Sequence, residues 1–395
     1  MIRARAAFWI VGVTLSLFLF AAAAPSPLYS VYAARWHFSA IALTEVFAIY
    51  ALALLVTLLL TGSLSDAVGR RWVILGALAL QLLSLVLFIG ATSVWWLYAA
   101  RITQGIATGA ATSALAAALV DLQPGDRPNR AALVNSVAPA VGLASGAMVS
   151  AVVVQYGPDQ LHDIYWLMLG AFVLAVIGAI LIVEPSGARG KVSLAPKIGI
   201  EAAARPTFVA ALPSLITGWA VASFYLSLGP SLALQLSGGT NRISGGLAIF
   251  LLAGVGAVSI LVLGSWPPRR AMSVGAAFLL AGLVAAAFAV ALRSLTLFLG
   301  GTAIAGIGFG LSWLGVLRTL IGLASPTGRG ALIATIYIVS YLAFALPAVV
   351  AGWMVTLVGL HEAALWYAVA MGVLALFGLA GSLLVRAGSP IVRPA

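Results

Sequence analysis

A chain of 395 residues that is 63% hydrophobic and only 7% charged is no water-soluble globule; soluble domains run about 45–50% apolar and about 25% charged. The net charge of +11 does not mark a nucleic-acid binder, because the bases are scattered over many short turns. With no cysteine there is no disulfide or thiolate metal site.

Twelve apolar runs reach the roughly 20 residues needed to cross a bilayer: 8–28, 40–61, 72–91, 95–119, 131–154, 164–183, 207–228, 243–264, 271–291, 295–320, 331–356 and 364–385. The start, with Arg3 and Arg5 before an apolar run and Ala21 to Ala24 after it, has the make-up of a signal peptide. Its removal would leave an odd number of spans and break the symmetry between the two halves of the chain, so the first run is read as a span. The longest polar gap separates residues 1–184 and 207–395, six spans each. It is a linker, 185–206, carrying Arg189, Lys191, Lys197 and Arg205.

The bases set the orientation, since they collect on the cytoplasmic side. With the N-terminus inside, Arg3, Arg5, Arg70, Arg71, Arg127, Arg130, the four linker bases, Arg269, Arg270, Arg329, Arg386 and Arg393 are cytoplasmic. Only Arg35, Arg242 and Arg293 lie outside. Both termini are then cytoplasmic, and the expected location is the cell (inner) membrane. His37, His162 and His361 fall in predicted loops, far apart, so no metal site is expected. No Gly-x-x-x-x-Gly-Lys-Ser/Thr loop occurs, so ATP is not the energy source and no cofactor is expected.

Between spans 2 and 3 lies G-S-L-S-D-A-V-G-R-R, Gly62 to Arg71. This stretch resembles the loop signature between helices 2 and 3 of the major facilitator superfamily of secondary transporters. The halves also repeat. Gly62-Ser63…Arg70-Arg71 returns as Gly264-Ser265…Arg269-Arg270, Gly105-x-x-x-Gly109 as Gly306-x-x-x-Gly310, and Arg130-Ala131-Ala132-Leu133 as Arg329-Gly330-Ala331-Leu332. Near-constant offsets argue for a duplicated six-helix unit. The resemblance implies an all-α membrane protein, twelve transmembrane helices in two pseudo-symmetric six-helix bundles, with a substrate site at midplane between them.

The same resemblance makes the 62–71 loop a gate: Gly62, Asp66, Gly69, Arg70 and Arg71, with Asp121 at the end of span 4 as partner for Arg71. Asp66 and Arg70 are also within reach on one helical face. The Arg-x-x-Gln-Gly of Arg101, Gln104 and Gly105 is similar to a helix 4 signature linked to proton transfer. Physics agrees that a charge inside the bilayer is a functional candidate, though an arginine near a surface can also snorkel out. Glu45, in span 2, lies at the same depth as Arg101. A lone buried carboxylate tends to stay neutral and a paired one charged, so Glu45 and Arg101 are expected to pair, either as a proton-coupling pair or as a buried structural ion pair. Span 1 lacks the acids that some drug–proton antiporters of the superfamily carry there. Span 5 carries Pro139, Gly142 and Gly146, a partial match to an antiporter glycine signature; small residues at that spacing also simply let helices pack closely.

Cavity candidates come from the spans that line the centre in this family: Tyr29 and Tyr32 beside a bend at Pro25 and Pro27, Trp219, Ser223, Tyr225, Ser312 and Trp313. Aromatic and hydroxyl groups in an apolar cavity suit an amphipathic or aromatic solute. Proton-coupled efflux of such a small molecule by a monomer is the leading expectation, with no nucleic-acid partner. The alternatives are proton-linked uptake of a metabolite on the same fold and a non-transporting membrane sensor or enzyme.

Overall fold

The computed structural model describes residues 4–61, 64–123, 130–184, 198–325 and 327–384. Everything regular among them is helical, as it must be where no water is at hand to satisfy a free backbone. In chain order the helices are α1 Ala4–Ala23, α2 Tyr29–Trp36, α3 Ala40–Thr61, α4 Leu64–Val68, α5 Arg70–Ile89, α6 Val94–Asp121, α7 Arg130–Tyr156, α8 Asp163–Leu181, α9 Arg205–Ser227, α10 Gly229–Leu236, α11 Ile243–Leu263, α12 Pro268–Ala291, α13 Leu295–Ile321 and α14 Arg329–Leu384. Eleven helical stretches among the described residues are long and apolar enough to cross a membrane.

The last of these holds two of the predicted spans. At about 1.5 Å per residue α14 would be roughly 80 Å long if straight, against a bilayer core of about 30 Å. It breaks at Gly359, where φ is 82° and ψ 165°, a conformation that costs glycine little and other residues much. His361, expected in a loop, therefore lies in the helix just beyond this break.

Two other breaks match one another. The bend expected at Pro25 and Pro27 is a 3-10 turn, Ser26–Leu28, between α1 and α2. α9 and α10 are parted at the matching place by the single residue Leu228, just before Gly229 and Pro230. Pro230 lies 203 residues after Pro27, which continues the repeat found in the sequence.

Residues 4–184 meet residues 198–384 chiefly through α3 against α14 and α7 against α11. The closest approaches fall at the end of the molecule away from the arginine pairs. There Gly246 faces Ala147 and Ala151, and Gly352 faces Ala40 and Thr44. Arg242 crosses at the same end: its N–H donates to Gln155 Oε1 at 2.9 Å and its guanidinium to Gln160 Oε1 at 3.4 Å. Deeper in, Phe47 stacks at a tilt on Phe344, ring centroids 4.9 Å apart, and Tyr341 packs against Tyr50 and Leu54. Among the described residues, no hydrogen bond joins the two sets at the basic end.

Candidate functional site

The prolines that bend the first span also build the site around Arg101. In a continuous helix the N–H of residue 25 would serve the carbonyl of Ala21, and Pro25 has none. Gln104 Nε2 takes that place, donating to the Ala21 carbonyl at 3.0 Å. Arg101 Nη1 donates to the Ala22 carbonyl at 3.1 Å and to Gln104 Oε1 at 2.6 Å. Its Nε donates to Tyr29 Oη at 2.8 Å. The two side chains, one turn apart on α6, thus cap the C-terminal end of α1, where a cation is favoured. The guanidinium is also ringed by Tyr29, Tyr50 and Phe88, at 5.4, 5.2 and 5.9 Å from the centroids. Arg101 is fully buried, so it does not snorkel, and its Nη2 has no partner.

Glu45 is not among those partners, which corrects the expected pairing with Arg101. Its side chain is exposed and accepts from Tyr98 Oη at 2.7 Å. The reason is angular. Thr44 and Phe47 point at α14, and Glu45 is turned about 100° from Thr44 around the helix.

The cavity candidates divide into two groups. Tyr29, Tyr32, Ser223 and Tyr225 are buried inside their own sets of helices, because a hydroxyl in an apolar interior must find a partner. Tyr29 is held by Arg101, Tyr32 by Tyr165 at 3.2 Å, Tyr225 by Thr302 at 2.8 Å, and Ser223 donates to the Ala220 carbonyl. Trp219, Ser312 and Trp313 border a void of only about 10 Å³ between α9 and α13, with Ser214, Gly218 and Phe309. Two hydroxyls on its border, Ser214 Oγ and Ser312 Oγ, are buried without a partner and lie against Gly378 of α14 and Gly275 of α12. Sequence reading missed the rest of this wall. Trp219 lies 5.2 Å from Tyr341 and 5.7 Å from Phe344, and Trp313 lies 6.4 Å from Tyr337, centroid to centroid. The signal was present: Tyr337, Tyr341 and Phe344 recur at helical spacing in α14.

At the basic end Arg70 forms an ion pair with Asp66 and a second with Asp121 Oδ2 at 3.1 Å, and donates to Ser65 Oγ at 2.7 Å. Asp121 therefore serves Arg70, not Arg71 as expected. Arg71 reaches the Ile180 carbonyl at 2.6 Å. Gly62 lies outside the described residues. Gly69, at φ 108°, leaves room for an unforeseen partner: Glu184 accepts from the N–H groups of Arg70 and Arg71 at 2.8 and 3.1 Å. A carboxylate on the first N–H groups of a helix meets its positive end. In the loop before α14 the hydroxyl and N–H of Ser325 bind Glu201 in a related way and hold its carboxyl below the usual range. Glu184→Ala is expected to cost about 1–2 kcal/mol, the usual loss for a helix N-terminus stripped of its acceptor. Glu184→Gln, which keeps one acceptor oxygen, should lose less. Thermal unfolding of the two purified variants checks this, and equal stability of both with the parent would show the contact to be idle.

Known proteins share this architecture. Over 163 residues, 40% of this chain and 28% of that protein, the sequence is 32% identical to the MFS-type transporter pydD of Acremonium sp.. The match thus spans less than a third of that relative's length. A bacterial homolog of the human lysosomal transporter Spinster, in an inward-facing and occupied conformation, superposes with a TM-score of 0.75 at 13% identity, over 97% of this chain and 98% of that one. The xylose transporter XylE from E. coli, partially occluded and inward open, gives 0.75 at 16% identity with the same coverage. The human organic anion transporter MFSD10 (TETRAN) gives 0.68 at 18% identity, over 96% of this chain and 100% of that one. At such identities the likeness is one of fold alone. The sequence model described as Major Facilitator Superfamily goes further, matching residues 6–346, and with it the duplicated helices and the charged loop after α3 have one explanation: the chain belongs to the Major Facilitator Superfamily.

Proposed function

We propose that this protein is a secondary transporter that exports a small amphipathic or aromatic compound by alternating access, with proton coupling. The observation that carries the substrate reading is the run of aromatic rings Trp313, Trp219, Tyr341 and Phe344, which meets Phe47 of the other set of helices. Aromatic faces give such a wall the apolar contact area that an aromatic or amphipathic solute needs. Residues 1–184 and 207–395 are the rocking units, joined by the 185–206 linker. The basic end faces the cytoplasm of the cell membrane, so the close contacts at Gly246 and Gly352 seal the outer side and the cavity faces inward.

Proton coupling rests on the resemblance of the Arg101–Gln104–Gly105 signature. Glu45 keeps a place in it only as an outer-end acid partnered by Tyr98. Asp66 and Asp121, which share Arg70, are the candidates at the inner end and belong to the gate. The protein acts as a monomer in this reading, and catalysis has no part in it.

The test is accumulation of a panel of toxic aromatic compounds in cells with and without the gene. Expressing cells should hold less of at least one compound, and an uncoupler should remove the difference. Trp219→Ala should raise accumulation severalfold toward the empty-cell level while the protein remains in the membrane. Higher accumulation in expressing cells would mean uptake. No difference for any compound, in a protein shown to be present, would contradict export.

A further inference from the structure

Among the described residues Arg101 is the one charged side chain that is buried, and it has no acid beside it. Of the nine acids in the chain only Glu45 lies well inside a span, and its carboxylate is exposed and turned to Tyr98. The freed carbonyls at the end of α1 answer part of the charge, since a helix C-terminus is worth roughly half a negative unit. The rest is met only by the faces of Tyr29, Tyr50 and Phe88 and by no counter-ion, and Nη2 has no hydrogen-bond partner. Tyr50 links this charge to the aromatic wall. Tyr50 lies 5.2 Å from the guanidinium on one side and packs against Tyr341 on the other.

We propose that Arg101 sets the sign of charge the cavity accepts: aromatic anions, carboxylates or sulfonates, in preference to organic cations. This rests on the aromatic-cavity reading above. A residual positive charge roughly 10 Å from a bound ligand, in a medium of effective dielectric about 20, favours a monoanion over a monocation by on the order of tenfold or more. The chain's excess of bases, 20 against nine acids, acts in the same direction on approach from the basic end. Arg101 does this as a positioning charge, through Tyr50, without touching the ligand.

The experiment uses the full-length protein in lipid nanodiscs and equilibrium dialysis against empty nanodiscs, which corrects for partition into lipid. The probes share one ring system: 2-naphthoate, 2-naphthamide and 2-naphthylmethylammonium. The expected order is naphthoate tightest, naphthamide between, and the ammonium weakest by about tenfold or more. Arg101→Gln should bring the three within about threefold of each other. The parent protein decides the matter if the variant does not fold. If naphthamide binds but the ammonium binds as tightly as naphthoate, the charge inference is overturned and the aromatic cavity stands. If none of the three binds, the aromatic cavity itself is overturned, and the inference with it.

Discussion

Gly146→Leu is expected to leave little folded protein in the membrane, and Gly142→Leu little more. A side chain at either position has nowhere to go. An ideal Cβ at Gly142 collides with the Ser16 carbonyl oxygen, and one at Gly146 with the Phe20 carbonyl oxygen and, at 2.7 Å, with its Cα. These are backbone atoms of α1, which cannot swing aside as a side chain would. Overpacking of a tight core costs about 1–3 kcal/mol and more where the neighbour is rigid. Even Gly146→Ala should therefore lower the unfolding temperature, despite the gain of up to about 1 kcal/mol that alanine brings to a helix. Gly76 and Gly170 are the controls, because a Cβ at either meets nothing within 4 Å. Gly76→Ala and Gly170→Ala should be neutral or slightly stabilising. Thermal denaturation of the three alanine variants decides it: if all three unfold alike, α1 and α7 do not meet in a close seam. The result would also bear on how the span 5 glycines are read, since the geometry gives them a packing role whether or not they mark an antiporter.

The spans, their order and the bend in the first were legible in the sequence because each obeys a local rule. A run of about 20 apolar residues must cross, and a proline must interrupt the ladder at a known carbonyl. The partners that the freed carbonyls find were not legible. That Gln104 and Arg101 would serve the carbonyls of Ala21 and Ala22 depends on how α6 packs against α1, some 80 residues away. Glu45 shows the same limit more sharply. Depth along a helix is read from residue count, and there Glu45 and Arg101 did match. Direction around a helix needs the neighbours, and Thr44 and Phe47 had already claimed the side facing α14. Glu184 looked like no more than the last residue before a polar linker, and only the fold brings it to Arg70, 114 positions earlier. Asp66 and Arg70 could be paired from their spacing alone, since four residues is one helical turn.

The central claim is that the two sets of helices must part at the end where Arg242 meets Gln155. The chain has no cysteine, so a Gln155→Cys, Arg242→Cys protein carries only the two introduced thiols. Both positions lie at that end, and in the parent the Arg242 N–H sits 2.9 Å from Gln155 Oε1. A short bis-thiol crosslinker will therefore span them with no change in the resting arrangement. Transport of whichever compound the cell assay identifies is then measured in proteoliposomes before crosslinking, after it, and after reduction of a cleavable linker. Alternating access predicts near-complete loss on crosslinking and recovery on reduction, in proportion to the crosslinked fraction. Undiminished transport by protein that is almost wholly crosslinked would contradict it.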